Sequence, residues 1–165
     1  DPTEAAVLSI GTFHSGQAFN VIAEEAVIEG TVRTFSKHVQ ETIIAEIERV
    51  IKGVCDSNGA SFSLDYEKGY PPVVNHENET DIVRQCAKHV VGPEAVIELE
   101  PNMIGEDFSY YLEHVPGSFF FTGAGNPQTG AVYPHHHPMF DIDEKGMLNA
   151  AKILVSAALA FLNQD

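Results

Sequence analysis

The stretch Tyr133-Pro134-His135-His136-His137-Pro138-Met139-Phe140 places three adjacent imidazoles in a proline-flanked segment. Imidazole is the commonest side-chain metal ligand near neutral pH, so the segment is a candidate metal site. Three consecutive side chains diverge, so one or two at most can reach a single ion; a solvated surface cluster is the plain alternative. A second candidate is Gly105-Glu106-Asp107-Phe108. Paired carboxylates at a helix start suit the positive end of the helix dipole, and the glycine before them frees backbone amides to approach an anion. Glu106 or Asp107 could also join His136 as a ligand. The third candidate is Gly11-Thr12-Phe13-His14 with Phe19-Asn20-Val21-Ile22, followed by Gly30-Thr31-Val32-Arg33. An arginine on a strand face near a loop asparagine can clamp a carboxylate, because guanidinium offers a planar fork of donors. The alternative there is a solvated strand arginine and a turn asparagine.

These residues need elements to hold them. Val7 to Phe13 is rich in β-branched and aromatic residues and predicts a strand; Ala26 to Phe35 predicts a second, with Glu29, Thr31 and Arg33 on one face. Ser36 is a suitable N-cap for an amphipathic helix carrying Val39, Ile43, Ile47, Val50, Ile51 and Val54 and stopping near Asn58-Gly59. Ser61 to Glu67 alternates, with Phe62, Leu64 and Tyr66 on one side, and predicts a half-exposed strand. Tyr70-Pro71-Pro72 breaks the pattern and marks a boundary between residues 1–72 and 73–165. Beyond it the periodicity predicts a helix over Glu77 to Val91 with Ile82, Val83, Cys86, Ala87 and Val90 inward, and a short strand at Ala95-Val96-Ile97. A short helix is expected over Gly105 to Leu112, a buried strand over Ser118 to Thr122, and a last helix from about Asp143 to Leu162.

Composition bounds the function. Nine Lys+Arg against 24 Asp+Glu give a net charge of −15, with no basic block, which disfavours nucleic acid and anionic membrane surfaces as partners. The run Ile153 to Leu162 falls short of the ~20 apolar residues of a bilayer span. No signal-peptide pattern is visible from Asp1, and a cytoplasmic location is expected. Cys55 and Cys86 both fall in helical patterns and are expected to be buried free thiols of a reducing compartment.

Taken in order, Gly11-Thr12-x-His14-Ser15-Gly16-x-Ala18-x-Asn20-Val21-Ile22, then Gly30-Thr31-Val32-Arg33-Thr34-Phe35, then Glu106-Asp107-Phe108, then His136-His137-Pro138-Met139-Phe140-Asp141-Ile142-Asp143-Glu144 resemble the peptidase M20 family of metal-dependent amidohydrolases. The branch it is most similar to is that of aminoacylase-like, hippurate and indole-acetyl-amino-acid hydrolases, and the resemblance runs from about Val7 to Leu162. It implies an α/β fold in two parts. Residues 1–72 would be a partial ferredoxin-like lid sandwich that makes a homodimer, lacking an opening strand and helix, and residues 73–165 the C-terminal part of the α/β catalytic domain. It further implies that Asn20 and Arg33 hold the carboxylate or developing oxyanion of an N-acyl-amino acid, that Gly105 lies in a loop beside the substrate, and that His136 binds one of two divalent ions (Zn, Mn, Co or Ni). His137 stands where the family more often has Ser or Asn.

Nothing in the chain matches the family's Cys/His motif, Glu pair and further His. The resemblance therefore implies that no catalytic residue lies within this chain, that the general-base Glu belongs to a missing N-terminal part, and that the chain alone is inactive. Two other readings stay open. One is a non-catalytic dimerisation or ligand-binding module, its interface formed by the helix from His38 to Cys55 and the strand Ser61 to Glu67. The other is a self-contained metal site of His135 to His137 with Glu106 or Asp107.

Overall fold

The computed structural model describes residues 3–163; Asp1, Pro2, Gln164 and Asp165 lie outside the described residues. The chain divides into two compact units, one of Asp1–Pro72 with Asn102–Asp107, the other of Val73–Pro101 with Phe108–Asp165.

In the first unit, β1 (Ala6–Ser15) and β2 (Ala26–Thr34) form an antiparallel hairpin. Two glycines set its register. The pairing steps from Ile10↔Gly30 to Thr12↔Glu29, leaving Gly11 as a bulge. The extra residue reverses the side-chain parity of β1, so Thr12 rather than Gly11 stands opposite Glu29, and its hydroxyl donates to the Glu29 carboxylate at 2.7 Å. Gly30 is required by close approach: a Cβ there would lie 2.3 Å from the Ser9 carbonyl oxygen. One face of the hairpin then carries the polar Ser9, Thr12, His14, Glu29, Thr31 and Arg33 together with Val7 and Val27, the other Leu8, Ile10, Phe13, Ile28 and Val32.

Helix α1 (Lys37–Asn58) packs on β2. Ser36 caps it by accepting from the Val39 N–H, and Gly59 ends it in the left-handed region at φ 68°, donating its N–H to the Cys55 carbonyl. Val39, Ile43, Ile47, Ile51 and Cys55 form its half-buried stripe; Val50 and Val54 remain exposed. The expected strand at Ser61 to Glu67 does not form: these residues have no regular structure. Alternation assigns faces, but a strand exists only when its N–H and C=O groups find a ladder, and neither β1 nor β2 pairs with this segment.

In the second unit, α2 (Glu77–Val91) and α4 (Glu144–Leu162) pack together, with Ala87 and Ile153 buried. Between them lie a single 3₁₀ turn, Pro93–Ala95, and a short helix α3, Phe108–Leu112. The turn replaces the strand expected at Ala95 to Ile97, because Gly92 at φ 88° and the fixed φ of Pro93 tighten the chain into a turn. Helix α3 starts later than expected, so Glu106 and Asp107 precede it instead of forming its first turn. Ser118 to Thr122 is not a strand either. Within it the Asn75 side chain brackets Phe119, donating to its carbonyl (2.7 Å) and accepting from its N–H (2.8 Å), and the Thr80 and Ser118 hydroxyls meet at 3.1 Å. Both cysteines are free but half-buried, more open than expected.

Helix α4 is long and apolar enough to cross a membrane by length and composition alone, a test that a core helix also passes. Exposed apolar side chains include Leu8, Ile10, Phe13 and Ile28 on the hairpin and Leu154, Val155, Leu159 and Phe161 on α4.

Candidate functional site

Arg33 lies on the polar face of the hairpin, exposed, in the pair nearest the open end but one. Its Nη1 donates to the Met103 carbonyl at 2.9 Å. That contact brings the segment Asn102–Asp107 to the arginine, and Gly105 within it faces the Tyr70 ring, which would be 3.7 Å from a Cβ on the glycine. Arg33 and Gly105 are thus drawn into one neighbourhood, a pairing across 70 residues from Arg33 to Met103 that spacing does not reveal. Asn20 is held apart from them. It sits exposed in the loop closing the other end of the hairpin, and about 23 Å of strand separate Ala26 from Arg33. Among the described residues its side chain makes no hydrogen bond.

In the second unit the three histidines fare differently. His137 stacks on Tyr133 with ring centroids 4.3 Å apart, and its Nδ1 accepts from the Met139 N–H at 3.1 Å. His135 meets Phe140 edge-on at 4.9 Å. His136 makes no hydrogen bond, ion pair or ring contact among the described residues, and it alone among their non-glycine residues has positive φ, at 68°. A left-handed backbone in a residue with a Cβ costs free energy and persists where surrounding structure holds it. The loop is held at its base by Asp143. Its Oδ2 accepts from Asn126 Nδ2 at 2.6 Å and its Oδ1 from the Lys145 N–H at 3.0 Å, capping α4. The Lys145 N–H, and next the Asn126 amide, hold the Asp143 carboxyl below its ordinary value. In the sequence Asp143 stands at the start of the last helix, 17 residues from Asn126, and nothing local pairs the two.

No three His, Cys, Asp or Glu converge to hold a metal ion among the described residues. A catalytic zinc takes about three protein ligands, and the exposed His136 offers one. This chain's donors therefore do not fit a complete metal centre, and no chemical step is derived through one.

Residues 6–160 match the family described as peptidase family M20/M25/M40. The chain belongs to that family. Bacillus subtilis YhaA, whose name gives it as an amidohydrolase, is 51% identical over 98% of this M20 chain and 41% of its own length. The N-acetyl-L-cysteine deacetylase of the same species is 35% identical over 100% of the chain and 38% of itself. Among solved structures, the B. subtilis YXEP protein, a dinuclear metal-binding peptidase of the M20 family, superposes with a TM-score of 0.81 at 29% identity, covering 97% of this chain and 43% of that one. The M20 chain thus has the α/β fold of these relatives and spans about two fifths of their length.

Proposed function

We propose that this chain is part of a metal-dependent amidohydrolase that cleaves the amide bond of N-acyl-amino acids. The observation that carries it is the match, over nearly the whole chain, to relatives named amidohydrolase and deacetylase. In this reading residues 1–72 serve as lid and residues 73–165 as the C-terminal part of the catalytic domain. Arg33 presents its outward donors to the substrate carboxylate beside Gly105, and Asn20 donates to the substrate or its oxyanion in a homodimer joined through the lid. His136 supplies one ligand to a divalent ion, Zn, Mn, Co or Ni, which when bound polarises the amide and activates water. The remaining ligands and the general-base Glu belong to the part of such enzymes that this chain does not span. The free thiols Cys55 and Cys86 support a cytoplasmic setting. The test is hydrolysis of N-acetyl-amino acids with each metal in turn. The 165-residue chain alone is expected to be inactive, and addition of the complementary part of YhaA to restore turnover that His136→Ala abolishes. Metal-dependent turnover by the chain alone would overturn this division.

A second reading, a dimerisation or ligand-binding module without catalysis, is favoured by the exposed apolar face of the hairpin. Sedimentation with and without an N-acetyl-amino acid separates the two: a monomer that ignores the ligand speaks against the module.

A further inference from the structure

We propose that Asn126 and Asp143 form a brace that holds the loop between them in the shape that presents His136, which makes both positioning residues; the inference rests on reading His136 as a metal ligand. Every polar group of the Asn126 side chain and backbone is engaged. Its N–H donates to the Ala131 carbonyl (2.8 Å), and its own carbonyl accepts from the N–H groups of Ala131 (3.1 Å) and Thr129 (3.2 Å). Its Oδ1 accepts from the Gln128 N–H (2.9 Å), and its Nδ2 donates to Asp143 (2.6 Å). Asp143 is as fully used: besides its two carboxylate contacts, its N–H donates to the Ala124 carbonyl (2.7 Å) and its carbonyl accepts from Gly146 (2.9 Å). Both ends of the loop are therefore tied to one another and to the start of α4. Gly146 is what allows the helix so close, since a Cβ there would lie 2.8 Å from the Gly123 carbonyl oxygen.

Within the braced loop, the rings of His135 and His137 are packed on Phe140 and Tyr133, and His136 between them is pinned at positive φ with its ring open to solvent. A left-handed histidine relaxes when the ends of its loop are freed. The brace works through geometry, so an exchange of its two partners should work as well as the native order.

The test is amide hydrogen exchange and histidine-ring NMR on the full 165-residue chain. Asp143→Asn sets two amides face to face and keeps an oxygen to cap α4; Asn126→Asp sets two carboxylates face to face. Each is expected to speed exchange at the Asn126 and Ala131 amides by about tenfold and to broaden the His136 ring signals, while amides in the body of α4 keep their protection. The double exchange, Asn126→Asp with Asp143→Asn, restores the hydrogen bond and is expected to return exchange to within about twofold of the parent. Unchanged His136 signals in Asp143→Asn, or a folded double variant that stays loose, would overturn the brace. Titration with nickel alone reports separately on the reading beneath it. His136→Ala is expected to lower nickel uptake; uptake unchanged by that substitution removes His136 as a ligand, whatever the exchange data show.

Discussion

Arg33 and Met103, 70 residues apart, are joined by a hydrogen bond of 2.9 Å from the guanidinium to the backbone carbonyl. One of five N–H donors is used, and the rest of the planar fork stays open on the exposed face of β2. The contact orients the arginine and holds the segment that contains Gly105.

Removing it should loosen that segment more than it destabilises the fold. Arg33→Met is expected to cost about 1 kcal/mol or less, since the group is exposed, but to speed amide exchange at Ile104 and Gly105 severalfold. Arg33→Lys keeps the charge and loses the fork, and should loosen the segment too. Urea denaturation and hydrogen exchange on the same samples separate the two effects; equal exchange in all three proteins would show that the bond holds nothing.

The hairpin makes different demands on its two glycines. Gly30→Ala forces a Cβ to within 2.3 Å of the Ser9 carbonyl oxygen, so the strands must part, at a cost of about 2 kcal/mol or more. At Gly11 the nearest atom to a new Cβ is 3.9 Å away, and Gly11→Ala should stay within about 0.5 kcal/mol of the parent. Equal denaturation midpoints for the two variants would contradict the register.

A similar contrast separates two helical glycines. Nothing lies within 4 Å of a Cβ at Gly53 in α1, so Gly53→Ala should stabilise by about 0.5–1 kcal/mol through helix propensity. Gly146 in α4 lies against Gly123 and Ala124, and Gly146→Ala should destabilise by about 1–3 kcal/mol. Thermal melts of the pair should move in opposite directions.

Acid should release the base of the histidine loop. The Asp143 carboxyl is held below its ordinary 3.8 by the Lys145 N–H and the Asn126 amide. A folded-state value depressed below the unfolded one adds stability that is present above the unfolded value and is lost as pH falls through the folded one. The protein should therefore lose stability below about pH 4, and Asp143→Asn should be weaker at neutral pH but flatter across that range. Melting temperatures of both proteins from pH 2 to 7 check this; parallel curves would mean that Asp143 is not the group responsible.

Helices α1 and α2 were legible because their signals are local. Ser36 caps, Gly59 stops, and the apolar repeat of Val39, Ile43, Ile47 and Ile51 lies within one segment. The strands expected at Ser61 to Glu67 and Ser118 to Thr122 had alternation or apolarity but no partner, and the Asn75 side chain instead bonds the backbone of Phe119. Pairing is a property of two segments, and a pattern in one of them does not establish it.

The candidate site divides along the same line. Residue types and their order along the chain were enough to single out Asn20, Arg33, Gly105 and the three histidines, and to place them in the M20 family. Only the folded chain sets Arg33 beside the Gly105 segment while leaving Asn20 at the far end of the hairpin. Only there does the Gly11 bulge turn Thr12 toward Glu29, and only there is His136, at positive φ with its neighbours' rings packed away, distinguished from His135 and His137. Caps, turns and periodicity act over a few residues and are written in the sequence, whereas hydrogen bonds such as those from Arg33 to Met103 and from Asn126 to Asp143 depend on where distant segments come to rest.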